Sequence, residues 1–286
     1  IDPNKYFVVS IDMFGNSMSS SPSNSSSPQD GPRFPDITLW DNIYCQHKLL
    51  IEKLKVKKIA LVTGASRGIG AAISLELAKL GAHVILTSRS VGGLEKVDDS
   101  IRSFGGSATI SPLDLLDMEK IDHLGALVFD RYKKLDILVG NAGLLGTLGP
   151  INHLDPKVWD ETLNINLTAN WRLIRSLDPL LRQSSAGRAV FITSTAGQLI
   201  RPYWGIYAVS KAALQMLVLT YAKEVEKTKI KVNLFNPGGT RTAMRAQAFP
   251  GEEPSTVKTP ENVAKQIIPL TLDECEAMGE VIRAKN

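Results

Sequence analysis

KIALVTGASRGIG at positions 58–70 decides the fold. It runs a short apolar, β-branched stretch into a glycine-rich turn and then opens a helix, with Thr63 closing the strand. Gly64, Gly68 and Gly70 stand in a G-x-x-x-G-x-G spacing, with Ser66, Arg67 and Ile69 between them. Glycines at those points let the backbone turn tightly and approach a pyrophosphate, which then sits on the unpaired N–H groups at the positive end of the helix. A plain strand-to-helix turn needs glycines too, so the motif gains its meaning from its place in a βαβ unit.

Working outward, β-branched runs alternate with amphipathic segments from residue 56 onward. Strands are expected at 58–63, 83–88, 108–113, 136–140, 189–193, 231–235 and 280–284, with helices in the gaps. Near-continuous apolar strands of this kind belong to a parallel sheet covered on both faces, and right-handed crossovers make it doubly wound. The expected fold class is therefore α/β, a single Rossmann-type domain over 55–286 with ligands at the carboxyl ends of its strands. Residues 1–54 read as an irregular extension. Ser17 to Pro28 is mostly serine with prolines, flanked by a strand-like run at 6–12 and a helix-like stretch from Asp41 to Leu54. The chain opens on Ile1 without an initiator methionine, so the natural start is expected upstream.

A second set of residues lies far downstream. Ser194 is followed thirteen residues later by Tyr207 and then by Lys211 in YAVSK at 207–211. Four residues apart at the start of a helical run, Tyr207 and Lys211 share one face. A free tyrosine titrates near 10, so a nearby ammonium in a desolvated cleft is expected to lower it. Together with TGASRGIG, Asp114-Leu115, NAG at 141–143, Asn166 in NINL and NPGGTRT at 236–242, the chain closely resembles the short-chain dehydrogenase/reductase family over about 57–284. One departure is Gly140, where many members have a second Asn, and it is expected to loosen that strand end.

The resemblance implies hydride exchange between a nicotinamide cofactor and a carbonyl or secondary alcohol. It makes Tyr207 the general acid/base, Lys211 its modulator and ribose contact, Ser194 a hydrogen-bond donor to the substrate oxygen, and Asn166 the holder of a water behind Lys211. It also implies cofactor contacts from Asp114 and Leu115 at the adenine, Asn141, Ala142 and Gly143 at the sheet end, and Pro237, Gly238 and Thr242 around the nicotinamide. Asp114 also reads as a helix N-cap. The second strand ends in TSRS at 87–90 with no acid before Glu95, so Arg89 and Arg67 favour NADP(H) over NAD. The stretch from Gly238 to Pro260 reads as a lid over the substrate, with Arg241 and Arg245 as candidate anion contacts and Tyr203 and Trp204 as candidate pocket walls. In this family, helices such as 156–182 and 206–226 pair between subunits, which implies a homodimer or homotetramer.

Two alternatives stay open. GASRG also fits the G-x-S-x-G nucleophile elbow, with Ser66 as nucleophile, and KYFVVSIDMFGNS, GPRFPDITLWDNI and HKLLIEKLKVKKIALVTG resemble the homoserine O-acetyltransferase branch of the α/β hydrolases. That elbow needs a later histidine, and the last of the four here is His153. The other alternative is a dinucleotide-binding protein without catalysis. Composition narrows the remainder. A net charge of +4 with scattered basic residues does not argue for nucleic acid. No apolar run approaches the ~18 to 20 residues of a membrane span. Cys45 and Cys275 make neither a disulfide framework nor a metal-ligand spacing, so no metal and a cytoplasmic location are expected.

Overall fold

In a computed structural model, the structure describes residues 58–285 continuously, with scattered positions between Met13 and Cys45. The chain divides into two units, Ile1–Val56 and Lys57–Asn286. In the first, the described Leu39, Asp41, Asn42 and Cys45 have helical backbone. The strand-like run at 6–12 and most of the serine tract lie outside the described residues.

The second unit alternates strand and helix: β1 (Ile59–Thr63), α1 (Gly68–Lys79), β2 (His83–Ser88), α2 (Val91–Ser103), β3 (Ser107–Pro112), α3 (Met118–Tyr132) and β4 (Ile137–Gly140). Its second half continues with α4 (Pro156–Leu163), α5 (Ala169–Leu181), β5 (Arg188–Ile192), α6 (Gly205–Glu224), β6 (Lys231–Asn236), α7 (Ala243–Ala248), α8 (Pro260–Ile267) and β7 (Val281–Arg283). The strands form one sheet in the order β3-β2-β1-β4-β5-β6-β7, and every pairing is parallel. The expected strands are therefore present, with ends displaced by a residue or two.

Side chains alternate across a strand, and β1 shows the consequence. Ile59 and Leu61 join an apolar layer with Ile121 and Leu124 of α3, Leu173 and Leu177 of α5, and Leu214 and Val218 of α6. Ala60 and Val62 join the opposite layer with Ile73 and Leu77 of α1, Leu94 and Ile101 of α2, and Val263 and Ile267 of α8. Each of the larger side chains contributes roughly 1.5–3 kcal/mol on burial, which is why β1 carries no polar residue before Thr63. Chain order reverses between β1 and β4, so a crevice opens at their carboxyl ends.

Gly140 does not loosen the end of β4. It pairs in register with Phe191 of β5, and a Cβ there would run into the Phe191 ring and the Asn170 side chain. The buried phenylalanine fills the space that a side chain at 140 would take. Gly140→Ala is therefore expected to cost about 1–3 kcal/mol by overpacking, and Phe191→Leu in the same chain should recover part of it. Superimposable urea denaturation curves for Gly140→Ala and wild type would contradict this packing.

Candidate active site

The glycine turn is shaped by steric demands that the sequence spacing only implied. Gly64 and Gly68 have φ of +66° and +58°, in the left-handed region that favours glycine. A Cβ on Gly70 would strike the Gly64 carbonyl and the Asn141 amide. Gly70 thus lets α1 start directly beneath the turn, and it packs there without lining the cavity above. Arg67, the N-cap residue of α1, makes no capping bond with its side chain, and the first turn holds no acidic residue. The N-terminus of a twelve-residue helix is therefore presented to an anion without competition. Gly93 of α2 has its own reason, since a Cβ there would meet Ser66 Cβ at 2.8 Å.

Thr63 and Asn141 stitch the two strand ends at the switch point. Thr63 Oγ1 accepts from the Asn141 and Ala142 backbone N–H groups at 3.0 and 3.1 Å. The Asn141 side chain donates to the Thr63 and Gly64 carbonyls at 2.8 and 3.3 Å. Asn141 therefore spends its amide on the sheet end and lines the crevice from there. Thr63 has the same positioning function and was legible only as the last residue of a strand.

A cavity of about 1110 Å³ runs over these ends. Gly64, Ser66, Arg67, Gly68 and Ile69 line it beside Arg89, Asp114 and Leu115. Ala142 and Gly143 continue the lining toward Pro237, Gly238 and Thr242. Lys96 of α2 also lines it, a residue that sequence reading missed because its helix position becomes meaningful only when α2 packs beside the turn. Asp114 is not the N-cap of α3; that residue is Asp117, which accepts from Lys120 N at 3.1 Å. Asp114 instead accepts from Leu116 N at 3.0 Å and stands 4.0 Å from Arg89 Nη1.

Ser194, Tyr207 and Lys211 come together at the cavity floor. Ser194 follows β5 and Tyr207 and Lys211 lie on the buried face of α6. Lys211 Nζ donates to the Ile192 carbonyl at 2.9 Å and lies 5.9 Å from the Tyr207 ring centre. Burial brings the Lys211 ammonium down to about 8. Burial also pushes the Tyr207 phenol above its ordinary value, with the Ser194 hydroxyl opposing that rise. The expected lowering of Tyr207 by Lys211 is thus reversed in this arrangement. The ammonium is turned to a backbone carbonyl, and desolvation is the larger effect.

Asn166 is fully buried in a π-helical turn, Asn164–Thr168, between α4 and α5. Its amide donates to the Leu144 carbonyl at 2.8 Å and to Ser210 Oγ at 2.9 Å, and Leu144 N donates back to it at 2.7 Å. It does not line the cavity, and it reaches α6 through Ser210, the neighbour of Lys211. Gly143 fits between the two: a Cβ there would lie 3.2 Å from Asn166 Oδ1 and 3.5 Å from Lys211 Nζ.

The segment expected to form a lid, Gly238 to Pro260, is pinned at its base, where Thr240 bridges to Lys258 and Arg241 N donates to the Lys258 carbonyl at 2.8 Å. It carries α7, and its Phe249 lies against Trp204, which lines the cavity while Tyr203 does not. Tyr203 has φ of +72°, a strained conformation beside the site. Among the described residues no histidine lines this cavity, no three His, Cys, Asp or Glu side chains are grouped to hold a metal ion, and no helix is long and apolar enough to cross a membrane.

Comparison with known proteins gives the family. The family model for short chain dehydrogenases matches residues 58–253. The uncharacterized oxidoreductase YciK of Escherichia coli K12 is 41% identical over 209 residues, covering 72% of this chain and 82% of that protein. A short chain dehydrogenase structure from Salmonella enterica serovar Typhi is 38% identical with a TM-score of 0.78, covering 80% of this chain and 96% of that one. Another, from Escherichia coli CFT073 in complex with NADPH, is 38% identical with a TM-score of 0.76 over 80% of this chain and 97% of that one. The likeness of residues 1–64 to an O-acetyltransferase is not borne out: the family match takes KIALVTG from Lys58 onward into the short chain dehydrogenase family. A parallel seven-stranded sheet, this site and these relatives together establish that the chain belongs to the short-chain dehydrogenase family of oxidoreductases acting on alcohol or carbonyl groups.

Proposed function

We propose that this enzyme exchanges hydride between NADP(H) and a carbonyl or secondary alcohol, with Tyr207 as the general acid/base and residues 55–286 as the catalytic domain. The observation that carries the reading is the meeting of Ser194, Tyr207 and Lys211 in one cavity with the uncapped α1 N-terminus and the Gly64–Gly70 turn. NADPH, when bound, supplies the hydride. The chain does the remainder. Ser194 orients the carbonyl oxygen, and Tyr207, held neutral by burial, donates its phenolic proton as negative charge develops there. A neutral phenol suits carbonyl reduction. Lys211 would hold the cofactor ribose, and it shares its surroundings with Asn166 through Ser210 and Gly143.

The donor set fits a 2′-phosphate. Arg89, with its side chain 59% exposed at the end of β2, stands on the cavity wall with Arg67 and Lys96, and no acidic residue ends β2 to meet a free ribose hydroxyl. The relative solved with NADPH supports the same choice. Arg89→Ala should weaken NADPH binding about ten- to hundredfold and leave NADH binding within a fewfold. Paired titrations of the two cofactors check this, and an unchanged ratio would contradict it. For assembly we propose a homodimer or homotetramer, supported by the exposed Leu127, Trp171 and Met216 on helices α3, α5 and α6. A cytoplasmic setting is supported by composition.

A further inference from the structure

The substrate end of the cavity is walled differently from its cofactor end. Beyond Tyr207 the lining is Leu145, Trp204, Met244, Ala248 and Phe249, and Leu145 and Tyr207 share an apolar cluster with Trp204, Met244 and Ala248. The rings form a continuous series. Trp204 meets Tyr207 edge-on with centres 6.1 Å apart, and Phe249 lies against Trp204 at 5.5 Å.

Two arginines of this segment, Arg241 and Arg245, line the cavity; the one that lies against the ring wall is Arg245, and it is already engaged. Its Nε and Nη2 donate to the two carboxylate oxygens of Glu252 at 2.6 and 2.5 Å, and its guanidinium lies 3.7 Å from the centre of the Phe249 ring. The same bond holds the Glu252 carboxyl below its ordinary range, so the pair is ionised and neutral overall. Arg245 therefore offers little to an anionic substrate. Its fork is spent across the lid, where the planar group braces Phe249 against Trp204.

Building on the carbonyl-reductase reading, we infer that the substrate is a neutral carbonyl compound bearing an aryl or similarly flat apolar group that lies against Trp204 and Phe249. In this account Trp204 and Phe249 determine specificity, and Arg245 and Glu252 are positioning residues for Phe249. An acidic substrate would place its carboxylate against these rings and an arginine already paired with Glu252.

The test compares acetophenone, benzoylformate and a small aliphatic ketone in wild type, Phe249→Ala and Glu252→Gln, with NADPH affinity measured alongside. Wild type should favour acetophenone over benzoylformate, which carries the same ring plus a carboxylate. Phe249→Ala should raise the acetophenone KM about tenfold, move the aliphatic ketone no more than two- to threefold, and leave NADPH binding unchanged. Glu252→Gln should also raise the acetophenone KM and give no gain on benzoylformate. If Arg245 selects anions instead, Glu252→Gln frees it and the benzoylformate KM falls, which overturns the inference. A wild-type preference for benzoylformate, or an unaltered acetophenone KM in Phe249→Ala, overturns it too.

A binding measurement keeps this inference separate from the hydride-transfer reading. Acetophenone should quench tryptophan fluorescence of the NADPH complex in Tyr207→Phe, and that quenching should be lost when Trp204→Phe is added. Quenching without reduction of any carbonyl by wild type supports the pocket and refutes the reaction. Reduction of aliphatic ketones or keto acids with no Trp204-dependent quenching supports the reaction and refutes the pocket.

Discussion

Tyr207→Phe should lower turnover by about 10² to 10⁴ while NADPH binds with little change. The substitution keeps the ring, which is buried and packed edge-on against Trp204, and removes the hydroxyl, with its bond to Ser194 and the proton that the carbonyl oxygen must receive. Ser194 remains where it was, because its side chain accepts from Ala196 N at 3.2 Å independently of the phenol. The loss should therefore fall on kcat more than on KM. A stopped-flow trace of NADPH consumption separates the two. Full activity in Tyr207→Phe would remove this residue from the mechanism.

Lys211→Met should abolish most turnover, at least a hundredfold, and yet make the folded enzyme more stable at neutral pH. The ammonium is buried, and burial lowers it from 10.5 to about 8. That difference corresponds to roughly 3 kcal/mol against the charged form in the folded state. The sign follows from linkage. Above 10.5 the group is neutral folded and unfolded, so it adds no penalty; between 10.5 and about 8 only the unfolded chain takes the proton; below about 8 the full penalty is present. Stability therefore falls as pH drops through that window. The lost bond from this ammonium to the Ile192 carbonyl offsets about 1.5–3 kcal/mol, leaving a net gain of at most about 1.5 kcal/mol at pH 7. Thermal unfolding should show Lys211→Met melting up to a few degrees above wild type at pH 7. The difference should narrow and reverse above pH 10.5. A lower melting point at pH 7 would contradict the desolvation penalty at this lysine. A cavity that holds a charged group at the expense of stability is expected of a functional site.

How far the sequence carries is clear from particular residues. Local patterns reported local structure: the seven strands, the glycine turn, and the four-residue step from Tyr207 to Lys211 all depend on neighbours in the chain. What required the fold depends on distant ones. Gly140 looked like a weakness until Phe191 of the adjacent strand occupied its space. Lys96 lay in an ordinary helix until α2 packed against the turn. Asp114 had the composition of a cap, but the chain reaches α3 three residues later, at Asp117. The Tyr207 shift was misjudged because spacing gives the proximity of a lysine and says nothing of which way its ammonium points. Arg245 was legible as a positive charge. Only its bond to Glu252, seven residues on, shows that the charge is already paired.

The most direct test follows the hydride itself. The full chain is incubated with NADPH carrying deuterium at the transferable position of the nicotinamide and with a panel of neutral ketones and aldehydes, and the alcohols are read by mass spectrometry. The account predicts deuterium on the carbinol carbon of the product, formed about 10² to 10⁴ times more slowly by Tyr207→Phe. Cofactor left unconsumed across the panel, with ester hydrolysis that disappears in Ser66→Ala, would contradict it.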